Sequence, residues 1–293
     1  MDVVRMVRIL LAVAATVLLG LAVSRLDVAA MRVGLLAANG SWLWVAVLVN
    51  LLIQPLGALQ WRVLLPSSVR TSWRRLLRLF ALTSVANNSV NSVVGHATGV
   101  ALVAAEAGVG TRGALSLLLL DQMCVGVAKL TVLGLAASLL PLPSWMQRGV
   151  IGLVCAVAVL AGLVMSSRRW PRLPFVGTIT TVPLARLLVA VASALGVKVL
   201  EAGGIAAVHM AFGIPCTFTS VTLVLAATTL ASLVPVIPAN IGAFEAAVFL
   251  ALRQVGVAAA DAMVVAVVLH GCQLLAALAP GAPLVWLPQR RAA

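Results

Sequence analysis

Residues 87–99 read NNSVNSVVGHATG, and this polar, glycine-containing stretch interrupts an otherwise apolar segment, Leu79–Ala105. It is too polar for a helix that faces lipid, and its flanks are too apolar for a solvated loop. Broken backbone at membrane depth is tolerated only where protein or a cavity shelters it. A second interruption, PVIPANIG at residues 235–242, separates the apolar stretches Phe218–Val234 and Ala243–Leu252. Together the two interruptions predict two broken helical hairpins.

The rest of the sequence has the composition of a membrane protein. Of its 293 residues 63% are hydrophobic and 9% are charged, and the mean hydropathy is +1.16. A soluble domain has about 25% charged residues. Further apolar runs, each close to the length that spans hydrocarbon, occur at Ile9–Val23, Trp42–Leu59, Ala114–Leu140, Val150–Met165, Leu184–Phe212 and Asp261–Leu287. We therefore expect an all-α polytopic membrane protein with one transmembrane domain over residues 1–293, in which about six full spans and two re-entrant hairpins make eight hydrophobic segments.

The distribution of arginines favours one topology. If both broken segments cross the membrane, ten arginines lie inside and eight outside. If both are re-entrant hairpins, fourteen lie inside and four outside. The positive-inside rule prefers the second arrangement, with both termini in the cytoplasm and the chain integral to the cytoplasmic (inner or plasma) membrane. The net charge of +13 therefore does not indicate nucleic-acid binding, because the basic residues cluster in short loops facing lipid headgroups.

The re-entrant topology makes the two halves of the chain similar. Each half, about 1–147 and 148–293, reads as span, span, hairpin, span, and the second half has the opposite orientation. This pattern predicts an inverted-topology repeat. In such repeats, paired interrupted segments point to a substrate site near the bilayer midplane.

The residues around the second interruption, Pro235-x-x-Pro238-Ala-Asn-Ile-Gly242-Ala-Phe-Glu245, precede an apolar helix, Gly256-Val257 and a last span. This motif resembles the transmembrane-domain family of lysylphosphatidylglycerol synthases and flippases. Gln60-Trp61-Arg62 looks like that family's Arg-Trp segment, and residues 87–99 and Asp121-Gln122 look like its Asn/Pro/Gly stretch and acidic-Arg pair. The resemblance covers nearly the whole chain. It implies a flippase-like protein that moves a charged phospholipid or serves a glycolipid, polyprenyl-phosphate or hopanoid pathway.

The chain departs from the family pattern at several positions. Val93 or Val94 stands where the family has a proline, and His96 stands where it has an acidic residue. Gln122 and His270 replace arginines, which would be natural phosphate binders. The resemblance therefore implies a divergent member.

Polar side chains within the apolar segments are the candidates for binding a lipid headgroup: Asn87, Asn91, His96, Asp121, Gln122, Lys129, Lys198, Glu201, Asn240, Glu245 and His270. Ionisable groups inside a membrane are costly and are usually functional. Asp121 and Lys129 lie on one span, about 12 Å apart along its axis and about 80° apart around it, so each needs a partner from another helix. Lys198 and Glu201 either neutralise each other or form a proton or headgroup site.

The predicted hairpin breaks are at Gly95, Gly99, Pro235, Pro238 and Gly242. The two glycines of the first hairpin provide either flexibility or close helix packing. Asn240 can cap the helix that contains Glu245, and the N-terminus of that half-helix could hold a phosphate. Alternatively, both residues only satisfy the broken backbone. His96 and His270 are either satisfied buried imidazoles or headgroup ligands.

The sequence contains no HExxH, GxSxG, DxD or Gly-rich phosphate motif, and its cysteines are isolated. We therefore expect no catalysis, no metal and no cofactor. The predicted function is binding a phospholipid, glycolipid or polyprenyl-phosphate-linked lipid and translocating it between leaflets, so membrane lipid is the expected partner and nucleic acid is not. The alternative is a non-transporting scaffold or accessory subunit that partners a lipid- or glycan-biosynthesis enzyme. An intramembrane lipid-modifying enzyme is the weakest of the three.

Overall fold

The computed structural model describes residues 28–89, 92–167, 182–233 and 240–280. Within these ranges the chain forms helices and no strands, so the predicted all-α fold is confirmed. The predicted first span, Ile9–Val23, and three predicted site residues, Asn91, Pro235 and Pro238, lie outside the described residues.

The described ranges contain eleven helices. In chain order they are α1 (Val28–Ala37), α2 (Gly40–Leu51), α3 (Ile53–Leu64), α4 (Trp73–Ser89), α5 (Ser92–Glu106), α6 (Gly110–Leu139), α7 (Ser144–Ser167), α8 (Leu184–Ala211), α9 (Phe218–Ala231), α10 (Ala243–Gln254) and α11 (Ala259–Leu278). Four helical segments in the described ranges are long and apolar enough to cross a membrane: α2 with α3, α6, α8 and α11. They correspond to four of the predicted spans: Trp42–Leu59 lies wholly within the first, Ala114–Leu140 and Leu184–Phe212 extend one residue past the second and third, and Asp261–Leu287 extends past the end of α11 into residues outside the described ranges. The predicted span Val150–Met165 lies within α7.

The first span-length segment is divided into α2 and α3 at Leu52. Pro55 is the third residue of α3 and has no N–H to donate, so the regular helical ladder is interrupted near Leu52. In α2 the Asn50 amide donates to the Ala46 carbonyl at 2.8 Å. Gly204 of α8 lies so close that an added Cβ would be 2.2 Å from the Asn50 Nδ2 atom. The two helices therefore pack through a glycine.

The first predicted hairpin is formed by α4 and α5, which pack side by side. With 17 and 15 residues they are about 26 and 22 Å long, short of the roughly 30 Å hydrocarbon core. Arg78 and Glu106 form an ion pair between the two arms, far from the turn. Gly95 and Gly99, predicted as break positions, lie inside α5 instead. An added Cβ on Gly95 would be 1.8 Å from the Asn87 Oδ1 atom, so Gly95 allows the arms to approach closely.

The second predicted hairpin is formed by α9 and α10, which also pack against each other and have 14 and 12 residues. Helix α10 begins after Gly242, whose φ of 89° lies in the left-handed region. The preceding Asn240 has a φ of 57°. The expectation that Asn240 caps this helix is wrong: Gly242 is the N-cap residue, and its N–H donates to the Glu245 carboxylate at 2.6 Å.

The packing of the helices leaves a space between α3, α4, α6 and α8. Helix α8 contacts α2, α3 and α6, while α11 contacts α2, α4, α8 and α10. Helix α6 contacts α3, α5 and α9. One buried cluster includes Val224, Val248 and Leu269, and a second includes Trp61 and Leu118. The space that remains between α3, α4, α6 and α8 is the site described next.

Candidate functional site

A cavity of about 330 Å³, here called the central cavity, lies between α3, α4, α5, α6 and α8, near the end of α9. Lys198 lies near the midpoint of α8, and Asp121 and Lys129 lie on either side of the midpoint of α6. Seven of the predicted headgroup residues line this cavity: Asn87, His96, Asp121, Gln122, Lys129, Lys198 and Glu201. Its volume is at the lower end of the range of about 300–1,000 Å³ that small-molecule sites have.

Asp121 is held by a hydrogen-bond network at one end of the cavity. The Trp61 indole N–H donates to Asp121 Oδ1 at 3.0 Å, and the Gln60 amide donates to the same oxygen at 2.8 Å. Gln122 donates to Oδ2 at 3.1 Å. The expectation that Asp121 needs a partner from another helix is confirmed, because Gln60 and Trp61 lie on α3. Both carboxylate oxygens already accept hydrogen bonds, so the main role of Asp121 here is to hold α3 and α6 together rather than to accept a hydrogen bond from a bound molecule.

The other charged residues lie toward the opposite end of the cavity. Lys198 Nζ and Glu201 Oε2 are 2.7 Å apart, so the predicted i,i+3 pair is present. Lys129 Nζ donates to the Ser232 carbonyl at 3.4 Å, a long hydrogen bond to the last turn of α9. The C-terminal end of a helix carries partial negative charge, which stabilises an ammonium group. The bond of Lys129 to its carbonyl is longer than the contact of Lys198 with Glu201, so the Lys129 ammonium group is the one more available to a bound molecule.

The first hairpin forms one wall of the cavity with Phe80, Thr83, Ser84, Asn87 and His96. The Asn87 Oδ1 atom is buried without a hydrogen-bond partner. A buried acceptor of this kind is costly unless a partner is supplied. This oxygen lies against Gly95, where an added Cβ would be 1.8 Å away, so it is enclosed between the two arms of the hairpin and is not presented to a molecule in the cavity.

The second hairpin contributes Ser232 to the lining, and its predicted residues form a separate cluster. Glu245 Oε1 and His270 Nδ1 are 2.7 Å apart, and the His270 ring stacks on Phe244 with centroids 4.4 Å apart. The Asn240 Oδ1 atom is buried without a partner. None of Asn240, Glu245 and His270 lines the central cavity. Their predicted role in headgroup binding stays a prediction.

Metal ligands are not grouped in the part of the chain that the structure describes. Across those residues, no three His, Cys, Asp or Glu side chains are close enough together to hold an ion.

A family model described as the lysylphosphatidylglycerol synthase TM region matches residues 6–281. The chain belongs to this family. Among curated proteins and among solved structures, no match was found. Membership identifies an integral membrane protein and associates it with lipid metabolism or transport.

In this member of the lysylphosphatidylglycerol synthase TM family, the sequence analysis missed two site residues. Gln60 and Trp61 line the cavity and hold Asp121, yet they are absent from the predicted headgroup residues. The signal was present, because Gln60-Trp61-Arg62 and Asp121-Gln122 both carry the family resemblance. The structure brings these two segments, 60 residues apart, into direct contact.

Proposed function

We propose that this protein binds the headgroup of a phospholipid, glycolipid or polyprenyl-phosphate-linked lipid in the central cavity and moves the lipid between leaflets. The observation that carries this proposal is the collection of charged side chains in one cavity at mid-length of the long helices. The described lining includes two lysines and two acidic residues. Charges at this depth are costly against lipid and mark substrate pathways in membrane proteins. A polar headgroup needs such a path, whereas the acyl chains can remain in the bilayer.

An inverted repeat gives this cavity a mechanism, and the helix contacts support it. Exchanging the α2–α3 segment with α8, α4 with α9, α5 with α10 and α6 with α11 converts the contacts among these helices into one another. For example, the contact of α4 with α11 becomes that of α9 with α6, and α3 with α6 becomes α8 with α11. Two halves related in this way can rock about a fixed site and expose it alternately to each side.

The proposed orientation follows from the arginines. The last turn of α3, the loop after it and the first turns of α4 carry Arg62, Arg70, Arg74, Arg75 and Arg78, which favours a location of this end of the helices on the cytoplasmic side of the cell membrane. On this orientation α6 and α8 begin in the cytoplasm. We propose no catalytic step and no cofactor, because Asp121 accepts hydrogen bonds from α3, Lys198 is paired with Glu201 on its own helix and Lys129 donates to a backbone carbonyl, and these groups form no nucleophile–base set.

Leaflet transfer in proteoliposomes tests the proposal. The purified chain is reconstituted with fluorescent phospholipid, glycolipid or polyprenyl-phosphate sugar, and the fraction that crosses is read by bleaching the outer leaflet. We expect transfer of at least one of these lipids, reduced about tenfold in Lys129→Gln, because one charge-assisted hydrogen bond is lost. The matched control is Arg148→Gln, since Arg148 does not line the cavity and, among the described residues, its guanidinium donates to the Ser144 carbonyl.

The same assay separates carrier from scaffold. If none of the three lipids crosses faster than in protein-free vesicles, the carrier function is refuted. Co-purification of a lipid- or glycan-biosynthesis enzyme would then support the scaffold alternative.

A further inference from the structure

A second cavity, of about 300 Å³, lies at the end of the α3–α6–α8 bundle that is nearest the basic loop after α3. We propose that this Arg186 cavity binds the phosphate of a phospholipid from the adjacent leaflet before the headgroup reaches the central cavity. The second half of this statement rests on the proposed function, whereas the binding site does not. Its described lining consists of Leu64, Leu65, Pro66, Ser67, Gly113, Ser116, Leu117, Leu120, Val182, Pro183 and Arg186.

The lining has the two-part chemistry of a lipid site. Most of its residues are apolar, and Arg186 is the one charged side chain among the described residues that line it. Arg186 Nη1 donates to the Leu65 carbonyl at 3.2 Å. A guanidinium carries five N–H donors, so this bond fixes the side chain while leaving donors for phosphate oxygens. Ser67 and Ser116 supply hydroxyl groups at the same cavity.

The Arg186 cavity and the central cavity are stacked between the same three helices. Along α3 the lining passes from Trp61 to Leu64, and along α6 from Leu118 to Leu117. Along α8 it passes from Ala194 to Arg186. Arg186 and Lys198 are twelve residues apart on one helix, which corresponds to about 18 Å along its axis.

A hydrogen-bonded partition separates the two cavities. Trp61, Gln60 and Asp121 lie at the boundary, where Trp61 is 1% exposed and packs in the same buried cluster as Leu64 and Leu120. A headgroup moving from the Arg186 cavity to the central cavity must therefore pass this layer. On this path the headgroup first meets Arg186, then the partition, and then Lys129 and Lys198.

Charge complementarity favours an anionic phospholipid as the occupant. The lining residues include no acidic side chain among those described, and the last turn of α3 and the loop after it add Arg62 and Arg70 to the positive surroundings. The apolar walls exclude a small hydrated anion but accept the glycerol backbone and the start of an acyl chain. A free phosphate entering the cavity would bind Arg186 but lose its hydration without compensation. A lipid phosphate also binds Arg186, and the burial of the lipid's apolar surface against the apolar walls offsets the loss of hydration.

Photo-crosslinking with a diazirine phosphatidylglycerol tests the site in the full chain, in nanodiscs, with labelled residues read by mass spectrometry. Leu64, Leu65, Leu117 and Leu120 are all below 5% exposed, so bulk lipid cannot label them from the protein surface. Leu119, 42% exposed on the same helix, reports bulk lipid and serves as the internal control. We expect labelling at the buried leucines in the wild type, and about a tenfold loss of it in Arg186→Gln.

Two further variants keep the result interpretable. Arg186→Lys, which keeps the charge, is expected to retain part of the labelling and shows that the cavity still folds. Arg253→Gln removes an arginine that also donates to a backbone carbonyl, at Val257, but lines neither cavity, and is expected to label as the wild type does. Unlabelled buried leucines in the wild type, or equal labelling in Arg186→Gln, overturn the site.

Competition distinguishes the source of the phosphate. Excess inorganic phosphate is expected to leave the labelling unchanged, and a loss of labelling would overturn the lipid in favour of a free anion. Leaflet transfer without labelled buried leucines refutes this site and leaves the proposed function standing. Labelled buried leucines without leaflet transfer of any lipid support the Arg186 cavity as a binding site and refute the proposed function.

Discussion

Replacing Trp61 with phenylalanine removes one hydrogen bond from the partition and keeps an aromatic ring in place. The indole N–H donates to Asp121 Oδ1 at 3.0 Å, and the ring packs edge-to-face on Phe80 with centroids 5.1 Å apart. A hydrogen bond to a charged group contributes about 1.5–3 kcal/mol. The smaller ring leaves a void that adds about 1 kcal/mol where the surroundings do not close. We therefore expect Trp61→Phe to lower the free energy of unfolding by about 3 kcal/mol.

A double-mutant cycle isolates the hydrogen bond from the void. Asp121→Leu removes the acceptor, and in the double variant with Trp61→Phe neither partner is left unpaired. We expect a coupling energy of about 1.5–3 kcal/mol from unfolding titrations in mixed detergent micelles. Trp44→Phe is the matched control, because Trp44 is 65% exposed, and its effect should stay within about 0.5 kcal/mol. A coupling energy below about 0.5 kcal/mol would refute the reasoning, since Trp61 and Asp121 would then be independent.

Three further substitutions test the hairpins and the ion pair. Gly95→Ala should destabilise the protein by about 1–3 kcal/mol, measured by the same titration, because the new Cβ meets Asn87; Asn87→Ala in the same chain should restore only part of the loss, since the Asn87 Cα would still lie 2.6 Å from that Cβ. Lys198→Met leaves Glu201 without its cation and should cost about 2 kcal/mol, whereas Lys198→Met with Glu201→Met should lie closer to the wild type. Gly242→Ala should cost about 1–2 kcal/mol, because its φ of 89° strains an L-residue, and a thermal unfolding curve should report it.

Matched variants make these results decisive. Gly126→Ala and Gly152→Ala place a Cβ in open space inside a helix, so they should be neutral or stabilising by up to about 1 kcal/mol. If Gly95→Ala behaves like them, the close approach of α4 and α5 is wrong. If the double Met variant is as unstable as Lys198→Met alone, the two side chains do not form one unit. An unchanged unfolding temperature in Gly242→Ala would contradict the backbone conformation at that position.

The helices and the local ion pair could be predicted because their causes are local. Hydropathy over about 20 residues identifies a span, and a polar interruption identifies a broken one, so the four described spans and the arms of both hairpins follow from the sequence. Lys198 and Glu201 are one helical turn apart, which brings them together in any regular helix. The two oxygens of the Glu245 carboxylate show which contacts the sequence could predict and which it could not. The bond to Gly242 is local, but the partner His270 lies on another helix.

The partners of Asp121 could not be predicted, because they depend on how α3 meets α6. Periodicity showed that Asp121 needs a partner from elsewhere, but not that Trp61 and Gln60 provide it. The glycines of the first hairpin were misassigned for a similar reason. In a polar stretch, Gly95 has the pattern of a break, while its actual role is to admit the Asn87 side chain from the neighbouring arm. That role exists only after the hairpin has folded back.

Both lysines of the central cavity are also the only lysines in the 293-residue sequence. Every other basic side chain apart from the histidines is an arginine, which acylating reagents leave intact at neutral pH. An amine-reactive dye added to the unaltered protein would thus mark this chamber and the amino terminus alone. The extent of acylation at Lys129 and Lys198, read from intact mass, becomes a direct gauge of whether the chamber is open to water or filled.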